Sequence, residues 1–387
     1  MFGQSGSDQR MTASNHPAYR PDIDGLRAIA VGSVVAYHAF PSFISGGFVG
    51  VDIFFVISGY LISSIILKSL DGGAFSFGDF FSRRVRRIFP ALIVVLVASI
   101  GFGWFVMLAD EYAQLGKHVA GGAAFVANFV FWDEVDYFDS LAELKPLLHL
   151  WSLGVEEQFY IVWPLLLFVA WRRRTAIPVL MMVIIIASFV LNIGTVESDP
   201  AASFYLPFAR FWELLCGGLL AYLTLLKNDP LFWQGPHQRL RGLLVGFPSQ
   251  WPVSSGRVAD LMSIAGAALV CWAVLRIDRQ ASFPGWWALL PTSGAVLLIA
   301  TGPDAWFNRT VLARRTMVFV GLISYPLYLW HWPLLSFARI VGQDSQRVIV
   351  CLVIASIVLA WLTFRFVEIP VKRSSRNPDH TLAAVHP

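Results

Sequence analysis

Long apolar runs separated by short polar connections dominate the chain from about residue 28 onwards. A membrane-crossing helix needs about 20 predominantly apolar residues. Ten runs approach that length, at roughly 28–45, 48–67, 88–109, 149–170, 175–193, 203–225, 258–275, 285–302, 316–335 and 348–367. A further run, 119–132, is short for a crossing and reads as a re-entrant or interfacial segment within the long 110–148 connection. The pattern predicts an all-α polytopic membrane protein with about ten transmembrane helices in contact with the lipid bilayer. Residues 1–20 are polar and irregular and read as a disordered cytoplasmic tail. Residues 21–373 read as one membrane domain and 374–387 as a second cytoplasmic tail.

Composition agrees with this reading. Of 387 residues, 56% are hydrophobic and 14% charged, where a soluble domain carries about a quarter charged. The net charge of +4 then gives no reason for a nucleic-acid partner, because basic residues of a membrane protein mark its cytoplasmic side. With the N-terminus inside, the inner connections collect Arg83, Arg84, Arg86, Arg87, Arg172, Arg173, Arg174, Arg309, Arg314, Arg315, Lys372 and Arg373. The outer ones hold only Lys117, Lys145, Arg276, Arg279, Arg339 and Arg347, and the outer 110–148 loop is acidic. Ten spans with both termini cytoplasmic fit this asymmetry. Cys216, Cys271 and Cys351 lie inside apolar runs without CxxC or Cys/His spacing, so neither a disulfide framework nor a metal site is indicated.

Ionisable groups inside a membrane are costly and are functional candidates by default. Arg27 and His38 are eleven residues apart, so on a helix they share a face and stand about 16 Å apart along it. Imidazole titrates near neutrality and suits proton transfer. The plainer alternative makes Arg27 a topogenic anchor and His38 a bond to a neighbouring helix. In GGFVGVDIFFVISGYLIS, Asp52 needs a partner, Ser58 can donate a hydrogen bond, and Gly50 and Gly59 read as packing residues. In FFSRRVRRIFPAL, Arg84 and Arg87 form an i, i+3 pair, as do Arg83 and Arg86, suited to phosphate oxygens or else simply marking an inner loop. In LLHLWSLGVEEQFY, His149, Ser152, Glu156 and Tyr160 fall on one stripe with Glu157 partly aside. Ser324, Tyr328 and His331 share a face between Trp330 and Trp332, and Arg210 and Glu213 form an i, i+3 ion pair.

Taken together, RPDIDGLRAIAV…YHAF, GGFVGVDIFFVISGYLI, FFSRRVRRIFPAL, LLHLWSLGVEEQFY, FYLPFARFWELLCG and LISYPLYLWHWPL resemble the acyltransferase-3 family of membrane O-acyltransferases. These segments come in that family's order, over residues 20–373. The likeness is closest to the branch of lipopolysaccharide O-antigen and exopolysaccharide O-acetylases. It implies a multi-pass protein of the bacterial inner membrane that takes acetyl-CoA from the cytosol and acetylates an extracytoplasmic glycan. It makes His38 the catalytic histidine and gives Arg84 and Arg87, with Arg27, to donor binding. It maps the family's Ser–Gly motif onto Phe54, Phe55, Ser58 and Gly59, and its VEEQFY signature onto Glu156, Glu157, Gln158, Phe159 and Tyr160. Many related chains continue into an SGNH-type extracytoplasmic domain. This one stops at Pro387, which implies a membrane domain that acts alone or has that part supplied separately.

The expected mechanism follows. Arginines hold the donor phosphates at the inner mouth while the thioester reaches towards His38. His38 takes the proton of an acceptor hydroxyl, Glu156 or Asp52 steadies the imidazolium, and Ser58 or a backbone N–H stabilises the oxyanion. An acyl-histidine relay is the main variant. His149, Glu157, Tyr160, Tyr328, His331, Arg210 and Glu213 are the expected supporting residues. The alternatives are a glycan or lipid transporter with buried charges along a path and an inactive partner protein. Oligomeric state has no signal in the sequence.

Overall fold

A computed structural model describes residues 19–135, 142–173, 176–228 and 256–374. The helices, in order, are α1 (Pro21–Ala39), α2 (Gly50–Asp71), α3 (Phe77–Val106), α4 (Ala109–Ala123), α5 (Ala127–Asp133), α6 (Leu150–Arg172), α7 (Ile177–Thr195) and α8 (Pro200–Tyr205). They continue with α9 (Pro207–Asn228), α10 (Arg257–Arg276), α11 (Leu289–Ala300), α12 (Arg315–Leu322), α13 (Ser324–Ile340), α14 (Gln346–Thr363) and α15 (Ile369–Ser374). No strand occurs among the described residues. The expected tails, apart from residues 19, 20 and 374, and Arg174 lie outside the described residues.

Among the described residues seven helices are long and apolar enough to cross a membrane, or eight if α12 and α13, bent by 65°, count as one span. This fits a polytopic membrane protein, and the figure of ten is not reached among the described residues. Two expected spans fall short for physical reasons. The first helix starts seven residues earlier than the apolar run, so its N-terminal turns hold Asp22, Asp24 and Arg27. Pro21 at the helix start and two acids in the first turn suit the positive end of the helix dipole. Asp22 is also paired with Arg20 at 2.6 Å and accepts from Asn308 at 3.1 Å. The run 285–302 forms only a short apolar helix, Gly285–Ala300. The 119–132 run is divided between α4 and α5, with Phe125 in the left-handed region (φ 56°) at the break. Neither of these two helices is long enough to cross a membrane.

The centre of the bundle is α2. Of its most apolar stretch 78% is buried, against 17% for Gln346–Arg373, so the polar groups of α2 face protein while the last span faces outwards. Close approach to α9 makes this possible. A β-carbon on Gly59 would collide with the Leu214 carbonyl, and one on Gly217 with the Val56 carbonyl. Gly50 approaches the Ala30 carbonyl of α1 in the same way, so the packing reading of Gly50 and Gly59 holds.

A polar strap crosses one end of the bundle. Glu134, just after α5, accepts from His118 Nε2 at 2.8 Å and pairs with Lys145 Nζ at 3.2 Å and Lys117 Nζ at 3.1 Å. The Lys145 carbonyl in turn accepts from Trp332 Nε1 at 2.8 Å. Partial burial pushes the Glu134 carboxyl up, but the His118 hydrogen bond and the neighbouring lysines outweigh it and leave it below the usual carboxylate range. A carboxyl lowered in the folded state contributes stability above its unfolded pKa and loses it as pH falls through the folded one. Glu134→Gln should therefore unfold at a lower temperature than wild type at neutral pH, with the gap closing as pH drops below the ordinary glutamate range. Thermal unfolding in detergent across pH checks this, and a gap independent of pH would contradict it.

Candidate active site

The first helix serves two cavities in succession. Arg27 lines one of about 90 Å³. Val34, Tyr37 and His38, further along α1, line another of about 680 Å³. Their shared face thus carries the arginine to a narrow chamber and the histidine to a wide one.

In the wide chamber His38 is set by a second histidine. His331 Nδ1 lies 2.7 Å from the Tyr328 carbonyl oxygen and 3.2 Å from that of Leu327. A carbonyl only accepts, so this nitrogen carries a proton, and in the neutral ring Nε2 is an acceptor. His38 Nδ1 lies 2.9 Å from His331 Nε2, so His38 donates there and keeps a free lone pair on its own Nε2. The two rings stack at 5.2 Å with an interplanar angle of 10°. Trp332 packs edge-on to His38 at 4.4 Å, held by the Lys145 strap. Arg339 Nη2 donates to the His38 carbonyl at 2.7 Å and ties down the end of α1. His149 is buried near the pair, its ring 5.8 Å from that of His331, with neither ring nitrogen bonded.

The expected carboxylate partner of His38 is absent from this arrangement. Asp52 instead accepts from Arg210 Nη2 at 2.9 Å, and the same nitrogen reaches Glu213 at 3.2 Å. All three side chains are fully buried, and Phe55, Trp151, Phe204 and Phe283 surround the guanidinium. An unpaired arginine there would be very costly, so Asp52 is committed to it. The Arg210–Glu213 pair expected within α9 is present, extended by Asp52 into a triad. Glu156 belongs to the narrow chamber, where its carboxylate accepts from the hydroxyls of Ser58 and Tyr160. The Ser58 and Tyr160 oxygens also lie against each other. The structure thus brings Ser58, Glu156 and Tyr160 together but places them apart from His38, whose partner is His331.

The narrow chamber is cationic at its mouth. Arg27, Arg84 and Arg87 line it together with Glu156 and Glu157. Of the two arginine pairs in α3, Arg84 and Arg87 are half-buried, while Arg83 and Arg86 are exposed. The Arg84 guanidinium lies over the Tyr160 ring at 4.5 Å, and Arg27 is 3.6 Å from Asp24. Glu157 Oε1 is buried without a hydrogen-bond partner. Three guanidiniums converging on one chamber suit an anionic ligand with phosphate groups. The wide chamber is lined by Tyr37, Phe48, Trp151, Phe204, Tyr205 and Trp332 among others. Such surfaces suit a ligand with one apolar and one hydroxylated side.

Several participants escaped sequence reasoning. Arg339 caps His38 across 301 positions of sequence. Arg279 donates to the Tyr37 hydroxyl at 2.8 Å and to Glu143 at 3.0 Å, across the opening of the wide chamber. Their only local signal is that Tyr37 precedes His38. Ser152 meets Tyr328 at 2.6 Å, joining two stripes that sequence had kept separate. Among the described residues no group of three or more His, Cys, Asp or Glu side chains is placed to hold a metal ion.

Comparison with known proteins assigns the scaffold. The acyltransferase domain of the acyltransferase-3 family matches residues 20–365. The chain belongs to the acyltransferase-3 family. Peptidoglycan O-acetyltransferase OatA of Listeria monocytogenes is 31% identical over 378 residues, which cover 92% of this chain and 56% of that protein. The putative peptidoglycan O-acetyltransferase YrhL of Bacillus subtilis is 32% identical over 372 residues, covering 93% and 56%. A putative O-acetyltransferase of Staphylococcus aureus is 30% identical over 369 residues, covering 92% and 58%. The chain therefore spans little more than half the length of these relatives. No solved structure matches it.

The histidine pair makes a prediction of its own for this acyltransferase-3 protein. Nitrogen NMR of the labelled His38 ring should show the Nδ1-protonated tautomer near neutral pH. In His331→Ala the preference should be lost, whereas His331→Gln, whose side-chain oxygen can accept, should keep part of it. An unchanged tautomer in His331→Ala would show that His331 does not orient His38.

Proposed function

We propose that this protein is a bacterial inner-membrane O-acetyltransferase with cytoplasmic termini. It takes an acetyl group from cytosolic acetyl-CoA and delivers it to a hydroxyl of an extracytoplasmic glycan. The observation that carries this reading is the His38–His331 hydrogen bond of 2.9 Å, which leaves His38 Nε2 free as a base in a chamber beside three converging arginines. Family membership supports the reaction class. The names of the Listeria and Bacillus relatives favour peptidoglycan as acceptor over the O-antigen or exopolysaccharide first expected.

Each chain residue then has a task. Arg84 and Arg87, with Arg27 as a weaker third because Asp24 partly neutralises it, hold the donor phosphates at the inner mouth. His38 Nε2 accepts the acceptor hydroxyl proton as the oxygen attacks the acetyl carbonyl; the carbon–sulfur bond breaks, and the departing coenzyme A sulfur takes that proton from the imidazolium to leave as the thiol. The imidazolium formed is steadied through Nδ1–H by His331, whose own Nδ1–H is fixed on the Tyr328 carbonyl. That chain of neutral groups replaces the carboxylate of a triad. Trp151, Phe204, Tyr205 and Trp332 give sugar rings a stacking surface. Ser58, Glu156 and Tyr160 form a cluster along the donor chamber, which supports donor placement as their task rather than proton transfer at His38.

Removing a general base slows such a step by about 10²–10⁴-fold. In a host lacking the native gene, His38→Ala should abolish O-acetyl esters on wall glycan while leaving acetyl-CoA binding intact. Arg84→Ala and Arg87→Ala should instead weaken acetyl-CoA binding. Ester content unchanged in His38→Ala would remove the base assignment, and undiminished donor affinity in both arginine variants would remove the clamp.

A further inference from the structure

The two chambers have only Val51 and Tyr328 in common among their lining residues. Val51 is a buried, rigid side chain of the central α2. Tyr328 is half-buried and comes from α13, which departs from α12 at 65°. Its hydroxyl is fastened to the start of α6. It donates to the His149 carbonyl at 2.8 Å, and the Ser152 hydroxyl lies 2.6 Å away and donates back to it. The Tyr328 ring packs against His149 at 5.4 Å and His331 at 5.5 Å on the wide side. Phe54, which lines the narrow chamber, meets it edge-on at 6.2 Å.

We propose that the Tyr328 ring is the partition between donor and acceptor chambers, latched to α6 by its hydroxyl. This rests on the donor and acceptor reading given above. A partition is chemically necessary there. A chamber of about 680 Å³ has room for water, and water at the thioester would spend the acetyl group: its oxygen bonds to the acyl carbon, the carbon–sulfur bond breaks, and acetate and the free thiol of coenzyme A leave. Tyr328 is thus a positioning residue that confines the thioester until an acceptor hydroxyl stands at His38.

The test reads access directly, without measuring acetyl transfer. Leu61 lines the narrow chamber. Leu61→Cys is placed in a protein whose Cys216, Cys271 and Cys351 are replaced by serine, and intact spheroplasts are treated with a membrane-impermeant maleimide. With Tyr328 present the thiol should be protected. With Tyr328→Ala it should be labelled, and Tyr328→Phe, which keeps the ring and loses the latch, should fall between. Tyr328→Leu serves as a second truncation if the alanine variant does not fold. Equal labelling with and without the ring would overturn the partition. In parallel, acetyl-CoA hydrolysis without acceptor should rise relative to transfer in Tyr328→Ala. Labelling that depends on Tyr328 in a protein with no acetyl-CoA turnover would sink the proposed reaction while leaving the partition standing.

Discussion

A polar or charged side chain inside an apolar helix bundle is costly unless another group answers it. Much of this molecule is organised by how those answers are assigned. Arg210 takes Asp52 and Glu213. Glu156 takes Ser58 and Tyr160. Once those carboxylates are committed, His38 is left with His331, and His331 with a backbone carbonyl. The last pairing matters most for chemistry, because a partner that only accepts fixes the protons of both rings. A carboxylate beside His38 would also accept its Nδ1 proton, but would raise the affinity of the ring for a second proton. A neutral chain ending on a carbonyl holds it as a base with one nitrogen free.

The same constraint divides the space. Guanidiniums sit near the polar start of α1 and in the first turns of α3, where their charge has access to solvent or to an anionic ligand. The histidines lie beyond a wall of α2 and α13 side chains, in a chamber of about 680 Å³. Arg279, Glu143 and Tyr37 stand at that chamber's rim, and the Glu134–Lys145 strap braces the Trp332 that packs on His38. The separation of the arginines from the histidines is therefore a property of the bundle.

Much of the fold was legible because apolar runs of helical length have few other uses. The runs at 48–67, 149–170 and 175–193 correspond to α2, α6 and α7 to within a few residues at most ends. The face shared by Arg27 and His38 was legible too, since helical geometry relates them directly. The charged start of α1 was not, because Pro21, Asp22 and Asp24 look like a polar leader until Arg20 and Asn308 answer Asp22. Partnerships were the least legible layer. His38 and His331 are separated by 293 positions, Asp52 and Arg210 by 158, and Ser58 and Glu156 by 98. One-chain periodicity places a side chain on a face but does not say which other helix that face meets. The choice of Asp52 as a partner for His38 failed for that reason: a carboxylate needs a cation, and Arg210 was nearer in space than the sequence could reveal.

The central claim is that an acetyl group enters from the arginine side and leaves from the histidine side. Proteoliposomes with the protein in one orientation test it most directly. Acetyl-CoA carrying a radiolabelled acetyl group is enclosed on the face bearing Arg84 and Arg87, and a soluble glycan acceptor is supplied on the face bearing His38. Label should appear on the glycan in this arrangement and not when donor and acceptor are exchanged. Equal labelling in both arrangements, or labelling only with the donor on the His38 face, would contradict it.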